Sequence, residues 1–180
     1  METEQIILLV INLLGGTAVV GSYIHGIKTH PNTRGKAWGN VPAGLKLWYT
    51  LSMLTAAAGY LAFAYFILFE ADPDDIEILG GDGFWVFYII CAAILIPSAL
   101  WMPLTFSMIE RPRGAKWFAI RLVLVVVGIA SIGLLASLIT LELGEPPAAY
   151  RASVIGICFF CIQTALLDAL IWPVYFPIQR

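Results

Sequence analysis

The sequence predicts an all-α integral membrane protein, a five-helix bundle with its N-terminus outside and its C-terminus inside. Three observations carry this. Of 180 residues, 60% are hydrophobic and 12% charged, with a mean hydropathy of +0.87; soluble domains carry about 25% charge. Five apolar stretches, 5–24, 47–69, 84–109, 115–141 and 149–176, each meet the roughly 20 residues needed to cross a bilayer. The connections between them are sorted by charge. With the N-terminus outside, nine of the ten Lys and Arg residues lie inward and ten of the twelve acids outward, the bias that sets orientation. Residues 1–180 form a single transmembrane domain, because the spans leave no room for a separate soluble one. No repeat of about 20 to 50 residues is visible.

The first stretch follows Glu2 and Glu4, where a signal peptide would be basic, so it is expected to stay as a span. The connection over 25–46 is long, rich in Gly and Pro, and holds His25, His30, Lys28, Arg34, Lys36 and Lys46. A loop of that length inside a bundle is more often functional than idle. The second stretch has small residues at Ser52, Thr55, Ala56, Gly59 and Ala62, spaced to let another helix approach one face. After it comes an acidic loop with Asp72, Asp74, Asp75 and Glu77. An EF-hand counted from Asp72 would need Gly at position 6 and Glu at position 12; Glu77 and Gly83 stand there instead, so a solvated loop without metal is expected. The third stretch contains Pro97 and Pro103, which break its hydrogen-bond ladder. A basic turn with Arg111, Arg113 and Lys116 leads into the fourth, and Pro146 and Pro147 precede the fifth.

Two ionisable residues fall inside spans, Arg121 and Asp168. Such charges are costly in hydrocarbon and are usually paired or used. Both are expected near the inner ends of adjacent helices, where an Arg121–Asp168 ion pair would relieve two costs together. A structural clamp, a contact to a ligand's polar group and a proton relay are the alternatives. Cys91, Cys158 and Cys161 lie in apolar segments and fit neither a disulfide framework nor a zinc pattern. Axial haem ligation needs histidines on facing helices, and both histidines belong to the first connection. No GxSxG, HExxH, P-loop or dinucleotide fingerprint occurs, so hydrolase and kinase chemistry has no residues to stand on. The thinly spread basic residues make no nucleic-acid surface. What remains is aromatic: Trp38, Trp48, Trp85, Trp101, Trp117 and Trp172, with seven Tyr and ten Phe. Many belong to interfacial belts, but Trp101 lies between two prolines. An apolar pocket with a few polar groups under the long first loop would suit a large planar or sterol-like ligand.

Three motifs stand in order across the last three spans: Trp101-Met102-Pro103-Leu104-Thr105-Phe106, Trp117-x-x-x-Arg121 and Leu167-Asp168-x-x-x-Trp172. This pattern resembles the translocator protein family, the tryptophan-rich sensory proteins of TspO type, with its W-P-P-x-F-F, W-x-x-x-D and L-N-x-x-x-W elements. The chain departs from it at Arg121, at Asp168, and in the first loop, where Trp38-Gly39-Asn40-Val41-Pro42 replaces W-x-P-P. The resemblance implies a membrane homodimer whose bundle pocket binds a porphyrin, haem or a sterol, with no firmly implied cofactor. It also points to Leu170, Tyr175 and Arg180 as a cholesterol-type pattern, a weak signal in general. The residues expected around a ligand are Trp38, Trp48, Tyr49, Trp101, Phe160, Gln163, Leu167 and Asp168. The alternatives are a small transporter or accessory subunit, and an enzyme acting on a porphyrin or lipid.

Overall fold

In the computed structural model five helices are long and apolar enough to cross a membrane: α1 (Thr3–Thr29), α2 (Ala43–Phe69), α3 (Phe84–Glu110), α4 (Gly114–Ile139) and α5 (Ala148–Tyr175). The structure describes residues 1–78, 81–141, 143 and 145–176, so Arg180 of the cholesterol-type pattern lies outside the described residues. The protein is an all-α, multi-pass integral membrane protein. Its only described strands, Glu77–Ile78 and Gly81–Asp82, pair as a two-residue ladder in the acidic connection.

Helix α1 runs on through His25 to Thr29, and α2 begins at Ala43. The first connection is therefore 30–42, shorter than hydropathy suggests, and His25 belongs to a helix. Apolarity marks where lipid ends, whereas the backbone ends the helix: Pro31 disfavours helical φ/ψ at the preceding residue, and His30 leaves the helix at φ −122° and ψ 54°. The connection holds a short 3₁₀ turn, Arg34–Trp38. Helix α5 changes winding along its length. It is α-helical over Ala148–Cys161, π-helical over Ile162–Ile171, and α-helical again over Trp172–Tyr175. The Trp172 amide accordingly donates to the carbonyl of Leu167, five residues back.

Around the bundle α1 packs on α3, α3 on α4, α4 on α5 and α5 on α2, while α1 and α2 scarcely meet. The expected adjacency of α4 and α5 is borne out. The sides are lined by exposed Leu, Ile, Val and Phe, and the buried positions include Thr105, Ser131, Ser153, Gln163 and Thr164. That inverts a soluble protein and is the arrangement lipid favours, where small and polar residues join helices. The small face of α2 meets α5 at Gly59 and Gly156, where a Cβ on Gly156 would lie 2.5 Å from the Gly59 Cα. Beside this contact the Ser153 hydroxyl lies 2.9 Å from the Ala62 carbonyl. On the α4–α5 seam Thr164 and Ser131 hydroxyls lie 2.7 Å apart.

Aromatic and aliphatic side chains fill the half of the bundle near the acidic connection, with Phe63, Phe66, Phe87, Leu134, Leu138 and Ile157 at its centre. At this end Gln5 donates to the Ala71 carbonyl. The other end carries the basic connections. There Lys116 donates to the Ser107 and Arg111 carbonyls, capping α3, and His30 stacks on Phe106 at 4.3 Å with its Nε2 3.0 Å from Glu110.

Candidate functional site

Between the packed half and the basic end the helices leave a cavity of about 630 Å³, within the 300–1,000 Å³ range typical of small-molecule sites. All five helices and the first connection contribute to it. Tyr23 comes from α1, Tyr49 and Met53 from α2, Trp101 and Phe106 from α3, Val127 from α4, and Phe160, Gln163, Asp168 and Trp172 from α5. Arg34, Ala37 and Trp38 come from the first connection, which is fixed as a roof. The Trp172 indole Nε1 donates to the Ala37 carbonyl at 3.1 Å, and the Asn40 amide to the Tyr175 carbonyl at 2.7 Å. Gly39 makes this closeness possible: its φ is +57°, which costs glycine little, and a Cβ there would lie 2.6 Å from the Tyr175 oxygen.

The wall beside the roof is aromatic. Trp101 meets Tyr23 and Trp172, each at 5.7 Å between ring centroids, and Trp172 continues to Phe176 at 4.6 Å and Trp117 at 6.2 Å. The tryptophans of the three sequence motifs therefore stand together. Five expected residues besides Trp101 line the cavity: Trp38, Tyr49, Phe160, Gln163 and Asp168. Two do not. Trp48 is 68% exposed on the outside of α2, one residue and so about 100° around the helix from Tyr49. Leu167 contributes its carbonyl, which accepts from the Tyr49 hydroxyl at 3.1 Å.

The polar groups sit on the π-wound stretch. Because each turn there takes an extra residue, positions i and i+5 stack, and Gln163 Nε2 donates to Asp168 Oδ1 at 2.8 Å. π-winding is rare and frequently marks functional sites. The expected Arg121–Asp168 ion pair is not formed: among the described residues the one contact between a basic and an acidic side chain is His30–Glu110. The α4 residues lining the cavity are Val123, Leu124 and Val127, and Arg121 is not among them. Asp168 is held by an amide instead. Two other lining residues hold buried polar atoms without a hydrogen-bond partner, Trp101 Nε1 and Gln163 Oε1.

No family model, curated protein or solved structure matches the chain. The cavity must therefore be read from its own walls. Tyr23, Met53 and Trp172 were not expected to line it. Trp172 had a signal in the Leu167-Asp168-x-x-x-Trp172 motif, while Tyr23 and Met53 lie on helices apolar all round, where periodicity does not mark an inner face. In the acidic connection Asp72 and Asp74 gather with Glu2, their ligand atoms within 4.8 Å of one another; all three are exposed, in keeping with a solvated cluster.

Proposed function

We propose that this protein binds a large apolar or planar molecule, of porphyrin, haem or sterol size, within the helix bundle, and does so for sensing or transport rather than catalysis. The observation that supports this is the cavity itself: a hollow of about 630 Å³ whose walls are aromatic and aliphatic, with a few polar groups converging from α3 and α5. A bundle built only to pack would lose dispersion contacts around such a void. The orientation in this reading is N-terminus outside and C-terminus inside, as the loop charges favour, and the assembly is a homodimer, as the family resemblance implies. The accessory-subunit alternative expects the small face of α2 to be buried against a different protein; at Gly59 and Ala62 this face meets α5 of the same chain.

The test is a titration of the reconstituted protein with protoporphyrin and with cholesterol, followed by tryptophan emission. Trp38, Trp101 and Trp172 line the cavity, so saturable quenching is expected, weakened in Trp101→Ala. Identical, non-saturating curves for wild type and variant would remove the reading.

A further inference from the structure

The cavity's unpartnered polar atoms fall in two places: the donor Trp101 Nε1 on α3, and acceptors around Gln163 and Asp168 on α5. Its charged lining residues are Arg34 and Asp168. Arg34 is exposed on the short 3₁₀ turn of the roof, whereas Asp168 is partly buried on α5. When ionised, Asp168 offers about four lone-pair sites, and it receives one described hydrogen bond, from Gln163 Nε2. That bond also fixes the Gln163 amide. Turning it over would set carbonyl oxygen against carboxylate, so Oε1 stays the outer atom, and it is buried without a partner on a residue only 4% exposed. The cation that sequence would assign to this place, Arg121, lies off the cavity face. Two acceptors thus remain at the polar end of the hollow, one of them a carboxylate.

Resting on the cavity-binding reading, the geometry points to a ligand whose buried polar end donates hydrogen bonds to Asp168 and Gln163, an alcohol or a primary ammonium, and carries no carboxylate there. An ammonium has three donors and offsets the charge. An alcohol donates once, and its oxygen can accept from the unpartnered Trp101 Nε1. A carboxylate brings lone pairs to lone pairs and a like charge in a low dielectric. A molecule ending in carboxylates, as porphyrin propionates do, has to turn that end toward Arg34.

The experiment uses the full chain in detergent and native mass spectrometry with three cholestanes that differ only at carbon 3: hydroxyl, amine and carboxylate. The amine and the alcohol are expected to bind at least about tenfold tighter than the carboxylate, the scale of one charge-assisted hydrogen bond gained or lost. Asp168→Asn should bring the three within about threefold of one another. Should that variant not fold, the wild-type ranking decides alone. A carboxylate binding as tightly as the other two overturns the inference and leaves the cavity reading standing. Failure of all three to bind overturns both.

Discussion

The roof over the cavity hangs on few bonds, and Trp172→Phe removes one while keeping a ring in the aromatic cluster. In the native protein Trp172 is 3% exposed, and its indole donates to the Ala37 carbonyl at 3.1 Å. Phenylalanine leaves that carbonyl without its donor, a loss of about 1–3 kcal/mol. At about 1.4 kcal/mol per tenfold, local opening of the connection should become roughly 5- to 150-fold more frequent. The lower part of that range is expected, because the Asn40 amide still reaches the Tyr175 carbonyl at 2.7 Å and Trp38 still meets Tyr49 edge-on at 6.1 Å. Hydrogen–deuterium exchange of peptides covering 33–41, in detergent, reads this directly, with the acidic connection 70–78 at the opposite end as internal reference. Faster exchange in both regions would mean global loosening. Unchanged exchange at 33–41 would refute the claim that the indole pins the roof.

Two further substitutions probe the packing. Arg121→Gln is expected to leave stability within about 0.5 kcal/mol of wild type, as for a substitution that breaks no buried partner, and to leave cholestane binding unchanged. A large loss in either, read by thermal unfolding and native mass spectrometry, would restore the ion pair with Asp168. Gly156→Ala places a Cβ 2.5 Å from the Gly59 Cα, far inside the roughly 3.5–4.0 Å optimum for carbon atoms. The two helices must part, costing about 1–3 kcal/mol or more, whereas Gly16→Ala, with nothing within 4 Å of its Cβ, serves as the neutral control in the same unfolding assay.

How far the sequence reveals this molecule depends on which coordinate is asked for. Height along the membrane normal is legible, because apolar length and loop charge report it: the five helices, and the placing of Trp101 and Asp168 toward the basic end, follow from hydropathy. Azimuth is much less so. In a soluble helix a polar face marks the outside, but α2 and α4 are apolar all round, so Trp48 and Tyr49 look equivalent and only one faces the cavity. Arg121 and Asp168 match in height, and the pairing inferred from that match fails on rotation. The π-wound segment compounds the difficulty. A reading that assumes regular α-helical periodicity along 162–171 assigns each side chain a direction that the extra residue per turn then shifts, and no residue type in that stretch announces the change.

The hollow persists where the ring of helix contacts is incomplete. On three seams of the ring the helices are drawn together by contacts that need small or polar residues at matched heights: Gly59 on Gly156, Thr164 beside Ser131, and Gly15 and Gly26 of α1 against Leu95 and Met102 of α3. The seam between α1 and α2 lacks such a set. Its facing residues include Val20 and Leu54, which line the cavity and yet are 58% and 64% exposed. A wall made of side chains that also face lipid is the least costly place for a membrane protein to stay unsealed, since hydrocarbon on either side of Leu or Val is energetically alike. The polar groups, by contrast, sit on α5 and α3: Gln163 bonded to Asp168, the Leu167 carbonyl accepting from the Tyr49 hydroxyl, and Trp101 Nε1. The cavity is thus apolar at the α1–α2 seam and polar at α5, the polarity an amphiphile entering from the membrane would require.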